Sequence, residues 1–198
     1  MKYLTRSLKR LMVLDPKAMI DPAEWHLDWV DKSQLRALDK GEDVRILVRS
    51  YNNDWATYLT AAWEAGNTVI YIDELYALVE FGRIAPPRIL SQLYTQGRER
   101  IVGVWGATQR PAWVPMFTLS ECDWFFAFRT QLQDDRKRLS ELMGPEVLDP
   151  IPVSDKHGFW MYSIEWDHPY YIDQLQINGK KKEPVDVNQR YQKVESPR

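Results

Sequence analysis

A series of short apolar runs constrains the fold of this chain more than any other feature: "RLMVL" at 10–14, "VRILV" at 44–48, "TVIYI" at 68–72, "RIVGVW" at 100–105 and "DWFFAF" at 123–128. Their hydrophobicity is continuous rather than alternating. Strands of that kind are covered on both faces, as in a parallel sheet flanked by helices. The intervening segments carry helix punctuation. Asp54 stands as an N-cap, Trp55, Tyr58, Leu59, Ala62 and Trp63 form one apolar side, and Gly66 supplies the stop. A second helix is expected after Pro86 and Pro87, with Ile89, Leu90, Leu93 and Tyr94 on its apolar side and Gly97 at its end; a third runs from Asp134 to Met143, closed by Gly144. Strand–helix–strand spacing of this kind predicts right-handed crossovers and an α/β fold, a mostly parallel sheet with helices on both faces.

Length sets the organisation. A chain of 198 residues suits one domain with a sizeable core, expected over residues 1–175. The aromatic runs "HGFWMYSIEW" and "PYYIDQL" predict a C-terminal hairpin, and residues 176–198 read as a polar, flexible tail. With 44% hydrophobic and 27% charged residues, extensive disorder is excluded, and a net charge of −2 offers no general attraction to nucleic acid, which leaves a local basic stripe as the route to such a partner. Cys122 is the single cysteine, so no intrachain disulfide forms. No apolar run approaches the roughly 18–20 residues that cross a bilayer, and the expectation is a cytoplasmic protein without a membrane segment. The nine tryptophans are expected to build core and interface rather than base-stacking platforms.

In an open parallel sheet, ligands bind beyond the carboxyl ends of the strands. Asp15 after the first run, the pair Asp73-Glu74 after the third and Thr108-Gln109-Arg110 after the fourth all occupy such positions. If the strands are neighbours, these groups share one crevice. An acid that holds Mg²⁺ through water, a carboxylate that polarises the attacking water and a polar sensor are what nucleotide hydrolysis requires.

The apolar run ending in Asp73-Glu74, followed by "QGRERIVGVWGATQRPAWVP" at 96–115, resembles the second half of the FtsK/HerA-type P-loop ATPases, DNA-pumping motors that include viral genome-packaging ATPases. The runs "WFFAFRTQLQDDRKRLSELMG" and "HGFWMYSIEWDHPYYIDQL" are similar to that family's closing strand, helix and hairpin, so the likeness spans most of residues 10–175. It implies that Asp73-Glu74 is the Walker B pair, Asp73 holding Mg²⁺ and Glu74 activating water, and that Gln109 senses the γ-phosphate of ATP. Arg98 matches the position of an arginine finger that acts on a neighbouring subunit, with Arg100 and Arg129 as competitors. A finger in trans implies a homo-oligomeric ring, expected as a hexamer. Double-stranded DNA is the implied partner, gripped by pore loops that include "RPAWVPMF" at 110–117, and capsid or portal-vertex proteins are further partners. If viral, the location is host cytoplasm or the virion vertex.

One family element is absent from the sequence. The 198 residues contain no Gly-Lys-Ser/Thr run, the Walker A loop whose amides and lysine cradle phosphates. "MKYLTRSLKRLMVLDPK" is similar to the helix behind that loop and the strand after it, so the first strand and the loop are expected upstream of Met1. This chain alone is therefore expected to bind ATP poorly. Alternative readings are a filamentous-phage assembly-type ATPase and a non-hydrolysing α/β scaffold that binds a partner through its tryptophans.

Overall fold

The computed structural model describes residues 1, 4–49, 54–78, 88–151 and 157–172. The chain groups into two compact units, Met1–Glu121 and Cys122–Arg198.

The first unit is built on a five-stranded, all-parallel sheet. Its strands are β1 (Arg10–Leu14), β2 (Asp28–Trp29), β3 (Val44–Val48), β4 (Thr68–Ile72) and β5 (Val102–Gly106), in the order β2-β3-β1-β4-β5. Leu14 lies opposite Val48 on one side and Ile72 on the other, and Ile72 lies opposite Gly106. Four strands therefore end level. β1 is the innermost and most deeply covered: Leu11, Met12, Val13 and Leu14 have no exposed surface. Leu11, Val13, Leu47 and Tyr71 form one face, against which Ile20, Leu27 and Trp25 pack. The helices are α1 (Pro22–Trp25), α2 (Lys32–Asp39), α3 (Trp55–Ala65), α4 (Arg88–Gln96) and α5 (Met116–Ser120). α2 packs on α3 and α3 on α4.

Local chemistry fixes the helix ends. The Asp31 carboxylate accepts from the N–H groups of Ser33 and Gln34 at the start of α2. Asp54 does occupy the N-cap of α3, but its carboxylate accepts the Thr57 hydroxyl instead of a backbone N–H. Gly66 ends α3 at φ +63°, and a Cβ there would meet the Arg100 carbonyl oxygen at 3.0 Å. Gly97 opens a 3₁₀ turn, Gly97–Arg100, that leads into β5.

The second unit is a three-stranded antiparallel sheet, β6 (Trp124–Phe128), β7 (Phe159–Ser163) and β8 (Tyr170–Ile172), in the order β6-β7-β8. The helix α6 (Gln133–Met143) packs its Leu139 and Met143 with Ala127, Val147, Ile151, Trp160 and Tyr171. The predicted hairpin is β7-β8. The run at 123–128, expected as a further parallel strand, instead pairs antiparallel with β7. Its Trp124, Phe126 and Phe128 are about half exposed, at 50%, 48% and 57%. The tail read at 176–198 lies outside the described residues, as do Pro86 and Pro87.

Candidate active site

The crevice lies at the carboxyl tips of β1, β4 and β5. The ladder runs one residue past each strand: Asp15 donates its N–H to Val48, Asp73 to Leu14 and Ala107 to Ile72, at 3.0, 3.0 and 2.9 Å. Leu75 then donates to the Ala107 carbonyl at 2.7 Å, which pins the backbone on either side of Glu74. Asp15, Asp73-Glu74 and the segment at 107–110 converge because their strands are neighbours.

Glu74 is buried, at 1% exposure. Its Oε1 accepts the Gln109 backbone N–H at 3.2 Å, and its Oε2 takes the Lys17 ammonium at 2.5 Å. Gln109 thus meets the carboxylate through its main chain while its side chain stands exposed. Asp73 is half-buried, and its Oδ1 accepts the Tyr71 hydroxyl at 2.7 Å. Two residues apart on one strand, Tyr71 and Asp73 fall on the same face, and the Tyr71 ring stacks on Trp25 at 5.5 Å. Burial pushes the Asp73 carboxyl above the usual aspartate range; the Tyr71 hydrogen bond opposes the shift, Asp15 and Glu74 add to it, and Lys17 opposes it. Burial, with the Asp73 carboxylate next, drives the Tyr71 hydroxyl upward as well.

That shift has a thermodynamic sign. A carboxyl with a raised folded-state pKa binds its proton more readily in the folded than in the unfolded chain, so its contribution is most favourable below the unfolded value of about 4 and is lost as pH rises through the folded value. Asp73→Asn keeps an acceptor for Tyr71 and removes this loss. We expect the variant to unfold at higher urea than the wild type at pH 7, with the gap closing toward pH 4. A less stable Asn variant at pH 7 would contradict the assignment.

Asp15 is a structural residue. Its carboxylate accepts from Met19 and Ile20 N–H at 3.1 and 3.0 Å and pairs with Arg49 at 2.9 Å. Both oxygens are committed to the turn that ends β1. Arg98 sits in the 3₁₀ turn that precedes β5, at the opposite end of the sheet from Asp73, so the two do not meet within one chain. Arg100 lies over the Trp63 ring at 5.0 Å. Arg129 follows β6, in the second unit. Lys17, Tyr71 and Arg49 are site residues that sequence reasoning missed. For Tyr71 a signal existed, the two-residue spacing to Asp73 on a strand.

The donor set suits a hydrated cation. Among the described residues no three His, Cys, Asp or Glu side chains form a metal cage. Asp73, half-buried and bonded through Oδ1 to Tyr71, is the carboxylate that would hold a hydrated cation such as Mg²⁺, which keeps most of its waters; Glu74 has both oxygens engaged by Gln109 and Lys17. A Gly-Lys-Ser/Thr run is not among the 198 residues.

No protein-family profile matches the sequence, and no curated protein matches it. Among solved structures the fold is similar to the genome packaging NTPase B204 from Sulfolobus turreted icosahedral virus 2 in complex with AMPPCP, with a TM-score of 0.70 and 13% identity over 88% of each chain. The same protein in complex with ATP-gammaS gives 0.69 at 13% identity, again over 88% of each chain. B204, the DNA-packaging ATPase from Sulfolobus turreted icosahedral virus, gives 0.67 at 14% identity over the same shares. At such identities the likeness establishes the fold alone, an α/β arrangement on a mostly parallel sheet.

Proposed function

We propose that this chain is a subunit of an ATP-driven DNA translocase, a ring-forming FtsK/HerA-type motor most like a viral genome-packaging ATPase. The observation that carries the reading is the contact between Glu74 and the Gln109 backbone at the tips of adjacent parallel strands, with Asp73 beside them. Two sequence stretches separated by residues 75–108 are brought together where an α/β fold binds its ligands. The similar packaging NTPases support nucleotide as the ligand class and DNA as the cargo.

In this reading Asp73 holds Mg²⁺ through its water shell, with Tyr71 orienting the carboxylate. Glu74 orients water, and Gln109 reports on the terminal phosphate. ATP and Mg²⁺ supply the phosphoanhydride bond and the charge neutralisation that phosphoryl transfer needs. Arg98, remote from its own crevice, acts on the site of the next subunit, which requires a ring; a hexamer is the assembly the family resemblance implies. Double-stranded DNA passes the loops at 110–117, where the Arg110 guanidinium lies over the exposed Trp113 ring at 3.8 Å. The loop would grip backbone phosphates rather than read bases. Capsid or portal-vertex proteins are the further partners, in host cytoplasm or at the virion vertex. No helix among the described residues is long and apolar enough to cross a membrane.

A scaffold reading has its own observation, the exposed aromatic face of β6. The genomic DNA upstream of codon 1 separates the two. An in-frame strand and Gly-Lys-Ser/Thr loop, with Mg²⁺-dependent ATP hydrolysis by the protein that includes them, is the expected result. A stop codon directly upstream, with no nucleotide binding, would leave the scaffold.

A further inference from the structure

We propose that the second unit binds a halide-sized anion, in a cavity lined by the indole of Trp160 and the guanidinium of Arg136. The site belongs to that unit alone. It stands apart from the crevice at the tips of β1, β4 and β5 and does not depend on the nucleotide reading.

The cavity is framed by the end of β6, helix α6, the 3₁₀ turn Pro145–Leu148 and β7. Arg129, Thr130, Arg136, Asp149 and Trp160 supply its polar walls, and side chains of the unit's apolar core close the rest. Its volume of about 10 Å³ admits one occupant the size of a water molecule.

Two donors on these walls have no protein acceptor. Trp160 is 4% exposed, lies opposite Ala127 of β6 and packs edge-on to Tyr171 at 5.3 Å, so its ring and the direction of its N–H are fixed. That nitrogen is buried, and nothing among the described residues accepts from it. Arg136 repeats the pattern. Its Nη1 donates to the Gln131 carbonyl at 3.1 Å, whereas its Nε is buried and meets no acceptor among the described residues. Indole and guanidinium nitrogens are donors only, and a buried donor left unpaired is costly. Two of them on one small cavity call for a shared acceptor.

Charge makes that acceptor an anion. Among the described residues no carboxylate pairs with Arg136 or Arg129. Asp149, itself exposed, is the single acid on the walls, against two guanidiniums. A half-buried cation without a counter-charge favours an anion beside it. A water would need acceptors for two hydrogens of its own, while a halide accepts from both nitrogens and requires none. The Thr130 hydroxyl can turn to donate as a third partner. Phosphate and sulfate are too large for the volume. Because Arg136 stands on α6 and Trp160 on β7, a bound halide ties the helix to the sheet, and its binding is read as stability.

Thermal unfolding followed by circular dichroism tests the site, with chloride exchanged for gluconate at constant ionic strength; gluconate cannot enter so small a cavity. Raising chloride from about 1 to about 200 mM is expected to raise the midpoint by about 3 °C or more, and bromide should match it. Trp160→Phe keeps a ring in the core and removes the donor, so its midpoint, wherever it lies, should not respond to chloride. Arg136→Met should lose the response as well. The chloride NMR line width gives a second readout: excess broadening by the wild-type protein, relieved by bromide and smaller in both variants. A midpoint indifferent to the choice of anion overturns the proposal, because it leaves a water as the occupant. A chloride response that survives in Trp160→Phe or Arg136→Met overturns it too. Should neither variant fold, the wild type decides: a chloride-specific rise together with bromide-relieved broadening supports the site, and the absence of either rejects it.

Discussion

Arg10→Met is expected to destabilise the protein by about 2–5 kcal/mol, a large share of the total stability of roughly 5–15 kcal/mol for a domain. Arg10 opens the central strand and is 7% exposed. Its guanidinium donates to the carbonyl oxygens of Asn67 and Glu42 at 2.8 Å, Leu38 at 2.9 Å and Gly66 at 3.2 Å, and reaches the Thr68 hydroxyl at 3.4 Å. Carbonyls stand here where a carboxylate is usual. Those of Leu38 and Gly66 lie at the C-terminal ends of α2 and α3, where unpaired carbonyls give each helix its partial negative charge. One planar cation therefore closes two helices and the start of β4 at once. Methionine fills much of the stem volume but donates nothing; the Leu38 and Gly66 carbonyls keep the Gly41 N–H and the Thr68 hydroxyl, whereas those of Asn67 and Glu42 lose the Arg10 donor, and a buried acceptor left without a donor costs about 1–3 kcal/mol. Arg10→Lys, with three donors on a point charge, should recover part of the loss. Urea unfolding followed by circular dichroism reads both variants. A methionine variant within about 1 kcal/mol of wild type would mean that water replaces the guanidinium at no great cost.

The residues that make Arg10 important are the kind that periodicity does not show. Continuous apolar runs revealed β1, β3, β4 and β5, because a strand covered on both faces has few polar positions to disguise it. The crevice followed from the position of Asp73, Glu74 and Gln109 immediately after such runs. The run at 123–128 misled for the same reason: Trp124, Phe126 and Phe128 are apolar yet half exposed, so continuity of hydrophobic residues did not mean burial on both faces. β2 was invisible, being two residues, Asp28 and Trp29, paired to the edge of β3. Helix α2 was legible in principle from Asp31 and the amphipathic run after it, although weaker in hydrophobicity than the strands beside it. Lys17, Arg49 and Arg10 act through partners 57, 34 and up to 58 positions away, and nothing local announces such a pairing. Their roles come from topology, which sets whose tips stand side by side.

The acid pair gives the largest functional effect. On the proposed reading, Glu74→Gln in a form of the protein that hydrolyses ATP is expected to lower turnover by at least 10²–10³-fold, about 3–4 kcal/mol of transition-state stabilisation, with nucleotide binding retained. The substitution is close to isosteric. The Gln Oε1 still accepts from the Gln109 N–H, so the link between β4 and β5 survives. What disappears is the negative charge to which the proposed mechanism assigns the orienting of water, and the amide Nε2 would face the Lys17 ammonium where Oε2 now sits. Two donors cannot pair, so the contact with Lys17 is lost, and the proposed mechanism loses turnover while nucleotide binding is retained. Equal turnover in wild type and variant would remove Glu74 from the chemistry. Mixed assemblies extend the experiment to Arg98. Because the turn at 97–100 lies at the far end of β5 from Asp73, Arg98→Ala leaves its own acids intact and, on the proposed reading, spoils only the site it reaches on a neighbour. Rings mixed from Arg98→Ala and Glu74→Gln subunits contain some junctions where an intact Glu74 meets an intact Arg98, and those junctions should restore part of the hydrolysis that neither variant shows alone. Failure of every mixing ratio to restore activity would count against a finger in trans and against the ring it requires.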